Sequence, residues 1–237
     1  MNQPDLKTQI LSEIQAAQSG RVWTPADFAA LGNRDAVDKA LQRLAKSGEL
    51  RRIDRGLYDR PRFNSLTKKP TNSDYREILA ALARRDQIRI LVDGLTAAND
   101  LGLTDAVPAH VIVHTDARRR AIKVGNLTIK FKLTAPSKLY WADRPAMRVI
   151  QALHWLKDML PRDEKRIMAR LTAILGEPQY GPSIRQDLEN GLKAIPAWMQ
   201  RIVRLLLGQT TTQKNAARTV APPPKKQASK SSRKATS

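Results

Sequence analysis

Three groups of residues in this 237-residue sequence have types and spacing that could do chemistry. The first is the set of arginines at 51, 52 and 55, inside "GELRRIDRGLYDRP", residues 48 to 61. Guanidiniums grouped beside a glycine turn suit a hairpin that touches phosphates, because each planar fork can meet two phosphate oxygens. The second, Arg118-Arg119-Arg120, offers the same chemistry between two candidate strands. The third, Asp163-Glu164-Lys165, would serve a metal-dependent nuclease if a further carboxylate on an adjacent strand helped to hold magnesium. It begins two residues after Pro161, however, where the first turn of a helix favours acids against the backbone dipole. His110 and His114 would share one face of a helix. On the β-rich "HVIVHT" they stand ~13 Å apart, at ~3.3 Å per residue. With His154 the only other histidine and no cysteine, no metal site and no cofactor is expected. Neither a glycine-rich phosphate loop nor a Gly-x-Ser-x-Gly elbow occurs, so the chain reads as a non-enzyme.

The arginines at 51 to 55 must be positioned by what precedes them. Leu6, Ile10, Leu11 and Ile14 recur at helical spacing, and Gly20 stops that helix. A second helix is expected in "VWTPADFAALG", with Thr24 as N-cap, Pro25 at the first position and Asp27 in the first turn. Asn33 caps a third, in which Val37, Ala40, Leu41 and Leu44 form one buried stripe. "ELRRIDRGLYD" then reads as two strands around a glycine-containing turn. Three helices followed by a hairpin is the order of a winged helix-turn-helix. The third helix presents Lys39, Gln42 and Lys46 opposite its buried stripe, with Arg43 flanking them and Arg34 at its start. Lysines suit phosphates, whereas Gln42 and Arg43 suit the edges of adenine and guanine. The candidate DNA contacts are therefore Arg34, Lys39, Gln42, Arg43 and Lys46 on the helix, with Arg51, Arg52 and Arg55 on the wing. A solvated charged face is the plainer alternative. One spacing is awkward: Leu50 and Ile53 are three apart, so a regular strand cannot aim both at one core.

The rest of the chain divides by composition. Residues 1–62 form the winged helix-turn-helix, and the polar, proline-broken stretch 63–73 a linker. Residues 74–207 make a mixed α/β domain, with a small sheet from "IRILV", "HVIVHT" and "LTIKFKL" and helices after it. From 208 to 237 apolar periodicity ends, acids and aromatics are absent, and a disordered basic tail is expected. The fold class is α+β. A net charge of +20 favours a polyanionic partner, although basic proteins can be merely basic. The excess is +3 over 1–66, +5 over 67–134, +5 over 135–207 and +7 beyond. Without cysteines, a membrane-length apolar run or a signal-like start, a cytoplasmic protein with no membrane partner is the simplest expectation.

"TPADFAALGNRDAVDKALQRLAKSGELRRIDRGLY" resembles the N-terminal winged helix of AbiEi-type antitoxins, from type IV toxin–antitoxin and abortive-infection (phage-defence) modules. The carrying pieces are the segment from Asp38 to Leu44, Gly48-x-Leu50, and Arg52-Ile53-x-Arg55-Gly56-x-Tyr58. "GLTAANDLGLTDAVPAHVIVHTDARRRAIKVGNLTIKF" is similar to the family's C-terminal segment. The resemblance implies a repressor that binds double-stranded DNA at its own promoter, as a monomer or a dimer. It also implies that the second domain counteracts a nucleotidyltransferase-like toxin, without requiring a stable complex. Arg118, Arg119 and Arg120 then read as a second basic patch, either meeting a phosphate-bearing or toxin surface or simply solvated. A stand-alone winged-helix regulator is the alternative reading, and a metal-dependent nuclease a more distant one.

Overall fold

The computed structural model describes residues 5–17 and 19–209. Nearly all of the basic tail expected from 208 onward lies outside the described residues.

The first half follows the local signals in the sequence. Helix α1 spans Leu6–Ala16 and strand β1 Val22–Trp23. The segment expected as a second helix is shorter, a single 3-10 turn over Pro25–Phe28. Its entry is fixed by Asp27, whose carboxylate accepts from the Thr24 N–H at 2.7 Å and from the Thr24 hydroxyl at 2.9 Å. Helix α2 covers Arg34–Lys46 and buries Val37, Ala40, Leu41 and Leu44. The Asn33 side chain caps it, accepting from the Ala36 N–H at 2.9 Å. Strands β2 (Arg51–Asp54) and β3 (Leu57–Asp59) complete a three-stranded antiparallel sheet in the order β1-β3-β2. The chain is thus mixed α+β, its first helical segments closing on this small sheet.

Strands β1 and β3 of this sheet are buried on both faces, which resolves the Leu50–Ile53 spacing. Trp23, Leu50 and Tyr58 pack with Ile10, Phe28, Leu41 and Leu44 in a core under the helices. Val22 and Leu57 instead join the core of the second half, and Ile53 packs against that same core. Ile53 therefore anchors the wing to the second half, whereas Leu50 and Tyr58 anchor it to the helices. The β2–β3 register also shifts between Arg52 and Asp54, so the strand bends as it passes between the two cores. Residues 63–73, expected as a linker, fold back on themselves. Phe63 bridges Pro70, and Asn64 Oδ1 accepts from the Leu66 and Thr67 N–H groups.

The second half begins with α3 (Tyr75–Asp86), capped by the Asp74 side chain. Strand β4 (Leu91–Val92), helix α4 (Gly94–Asp100), and strands β5 (His110–Thr115), β6 (Ile122–Val124) and β7 (Leu127–Leu133) follow. The sheet order is β4-β5-β7-β6, with β5 and β7 parallel and the other pairs antiparallel. Val111, Val113 and Thr115 are buried, whereas His110 and Ile112 lie on the exposed face. Helices α5 (Met147–Leu156), α6 (Leu160–Gly176), α7 (Gly181–Asn190) and α8 (Ala197–Leu206) add their apolar faces to this core. Helices α4 and α5 meet where only glycine fits, since a Cβ on Gly94 would lie 2.7 Å from the Gln151 carbonyl oxygen. Asp100, at the end of α4, receives the Tyr75 hydroxyl, Arg76 at 2.7 Å and Arg148 at 2.8 Å. One carboxylate thus ties α3, α4 and α5. No described helix is long and apolar enough to cross a membrane.

Candidate nucleic-acid interface

Because α2 turns Val37, Ala40, Leu41 and Leu44 inward, its opposite face is left to solvent. Arg34, Lys39, Gln42, Arg43 and Lys46 are all exposed. Arg34 pairs with Asp38 one turn on, at 3.0 Å. Among the described residues the side chains of Lys39, Gln42, Arg43 and Lys46 hold no intramolecular partner, so their donors are available to a ligand. Positions 34, 38, 42 and 46 step along one stripe of the helix.

The three wing arginines separate into three environments. The sequence expected all three to face a nucleic acid, and Arg51 departs from that. Its guanidinium grips Asp59 through Nε at 3.0 Å and Nη2 at 2.5 Å, and reaches the Thr71 carbonyl at 2.9 Å and the Ser73 hydroxyl at 3.1 Å. Asp59 is 3% exposed and accepts from Ser73 as well, at 2.6 Å. Arg51 therefore neutralises a buried carboxylate and pins the 63–73 segment to the wing. Arg52 is exposed and only loosely restrained, its Nε 3.4 Å from the Asp54 carbonyl. Arg55 sits at the tip beside Gly56, whose φ of +66° makes the turn. The Arg55 backbone carbonyl accepts from Arg85, and its side chain is exposed without a partner among the described residues.

The wing tip forms one wall of a cleft of about 820 Å³. Arg34 and Arg55 come from the first half, and Arg85, Arg118, Arg119 and Arg120 from the second. Asp54 and Asp86 are the acids that line it, so six arginines face two aspartates. The two basic groups that the sequence shows as separate, 51–55 and 118–120, thus meet at Arg55 across one concavity. Asp86 organises the meeting. Its carboxylate holds Arg85 at 2.8 Å and Arg119 at 2.5 Å, while Arg85 reaches over to the wing. Burial alone would raise the Asp86 carboxyl, but the Arg85 and Arg119 guanidiniums outweigh it and hold it below its ordinary value. Arg119 keeps a buried Nε with no hydrogen-bond partner among the described residues. Arg118 and Arg120 are exposed and form no intramolecular ion pair among the described residues.

Arg85 and Asp86 carry no signal as site residues in the sequence. At the end of α3 the arginine resembles an ordinary partner for the helix dipole. The remaining candidates stay apart from this cleft. Asp163, Glu164 and Lys165 stand in the first turns of α6. His110 and His114 lie on β5, where burial, with Lys132 nearby, pushes the His114 imidazole below its usual value.

Residues 9–174 match the model of a family of unknown function, DUF6088. The match spans both halves and every residue of the cleft and of α2, and the chain belongs to that family. A search of curated proteins gave no match.

Proposed function

We propose that this DUF6088 member is a sequence-specific DNA-binding protein that represses its own operon from a cytoplasmic location. The observation that carries the reading is the outer face of α2. Gln42 and Arg43 stand exposed, without a partner among the described residues, between Lys39 and Lys46, on a helix held by a sheet with winged-helix pairing. Such a helix can enter a major groove, Gln42 and Arg43 meeting base edges while the lysines and Arg34 meet phosphates. Arg55, projecting from the wing tip, suits the adjacent backbone or minor groove. Arg52 can add a further phosphate contact. The role is binding, not catalysis.

The resemblance to AbiEi-type antitoxins supports a further role for the second half, that of opposing a nucleotidyltransferase-like toxin encoded beside it. The two roles are separable by experiment. A mobility-shift assay with the chain's own upstream DNA, at two salt concentrations, tests the first. Saturable binding that weakens steeply with salt is expected, and equal affinity for unrelated DNA would count against sequence reading. Co-expression with the neighbouring gene product tests the second. Unrelieved growth arrest would remove the antitoxin role and leave a regulator.

A further inference from the structure

Resting on that DNA-binding reading, we infer that the cleft between the wing tip and the 118–122 loop is a second phosphate site. It takes the sugar–phosphate backbone of the same duplex that is seated on α2.

The chemistry of the lining selects the ligand class. Six arginines line the cleft, and apart from two aspartates its walls are Gly56, Ala121 and Ile122. No aromatic ring is present to stack on a base, and no amide side chain to read one. Recognition here is of phosphate alone, which a sequence-blind backbone contact requires. Of the two acids, Asp86 is already engaged by Arg85 and Arg119. Among the described residues Arg55, Arg118 and Arg120 form no ion pair.

Continuity selects the source of the phosphate. Arg34 belongs both to the cleft lining and to the outward stripe of α2 that runs through positions 38, 42 and 46. Arg34 is common to both surfaces, so a duplex that meets Arg34 while seated on α2 also reaches the edge of the cleft. The Arg85 donation to the Arg55 carbonyl and the packing of Ile53, Leu57 and Val22 on the second core hold the two walls together. The cleft is therefore preformed, and phosphate binding there needs little reordering. It follows that the second half contributes directly to the DNA footprint. A duplex too short to reach the cleft should lose part of the affinity.

The test compares the full chain with its Arg118→Ala/Arg120→Ala variant, both side chains being exposed and without an ion pair among the described residues. Binding to a short duplex centred on the α2 site and to one extended on the cleft side is followed by anisotropy across a salt series. For the long duplex the variant should bind on the order of tenfold more weakly at low salt, with a salt slope reduced by about 2. For the short duplex the two proteins should be alike. Sequence preference should be unchanged in the variant, in contrast to Gln42→Ala. Equal affinity and slope for both proteins on the long duplex would overturn the inference while leaving α2 binding intact. A free-phosphate arm separates the sources. If tripolyphosphate stabilises the wild type thermally, the variant does not respond, and long-duplex binding is the same in both, the cleft holds a free polyphosphate and the duplex assignment is wrong. If the wild type binds neither duplex at low salt, the DNA-binding reading itself fails.

Discussion

Replacing Arg51 should damage stability far more than DNA affinity, although it sits among the residues that look most like a nucleic-acid contact. The Asp59 carboxylate that Arg51 holds is 3% exposed and has Ser73 as its other side-chain donor. Removing one member of a buried ion pair leaves an uncompensated charge, which costs about 3–5 kcal/mol. The Arg51 side chain keeps 30% of its exposure, so water reaches one edge and about 3 kcal/mol is the better figure. For a chain of this size each kcal/mol moves the melting temperature by about 2–4 °C, giving a loss of roughly 6–12 °C for Arg51→Met. Adding Asp59→Asn should restore much of it, because no bare carboxylate then remains. Circular-dichroism melts supply the stability values, and DNA binding at low temperature, where every variant is folded, supplies the affinities. Arg55→Ala should show the opposite pattern, an unchanged melt with weaker binding to all sequences. An Arg51→Met protein that melts like the wild type but binds DNA poorly would refute the structural role assigned to Arg51.

Asp86→Asn should loosen the wing from the second half and flatten the acid limb of the stability curve. In the wild type the depressed Asp86 carboxyl contributes stability that is present above the unfolded carboxylate value, ~3.9, and lost as the pH falls through the lower folded value. Melts between pH 5 and 2 should therefore converge for the two proteins at the acid end. Asp100→Ala strands Tyr75, Arg76 and Arg148 together and should cost about 2–3 kcal/mol, the partial exposure of both arginines moderating the loss; chemical denaturation reads it. Gly56→Ala forces a side chain into a left-handed turn 3.3 Å from Arg85. It should cost about 1 kcal/mol and weaken DNA binding by displacing Arg55, read by the same melts and shift assays.

Much of the first half was legible because single residues mark its boundaries. Asn33 before α2, the Thr24–Asp27 pair and Gly56 each act within a few residues of the structure they set. Strand β6 was not, since Ile122-Lys123-Val124 is only three residues beside three arginines. The two-faced sheet had a signal that alternation rules pass over. Val22-Trp23 and Leu57-Tyr58 are adjacent apolar pairs, which a strand tolerates when both of its faces are buried. The two roles of the wing arginines could not be read, because Arg51 and Arg52 are neighbours of the same type. What separates them is Asp59 across the hairpin and Ser73 beyond it. The cleft is also a tertiary product, since 55 and 118–120 are far apart in sequence and meet through Arg85 and Asp86 at the end of α3.

In the proposed role the outer face of α2 reads DNA and is joined by cationic contacts. The most direct measurement is a salt-titrated shift assay of the full chain and its Gln42→Ala/Arg43→Ala variant, on the chain's own upstream DNA and on a scrambled duplex. The wild type should prefer its own DNA, with log affinity falling linearly in log salt, and the variant should lose the preference while keeping much of the slope. Equal binding of both duplexes by the wild type, or a variant that still discriminates between them, would contradict the account.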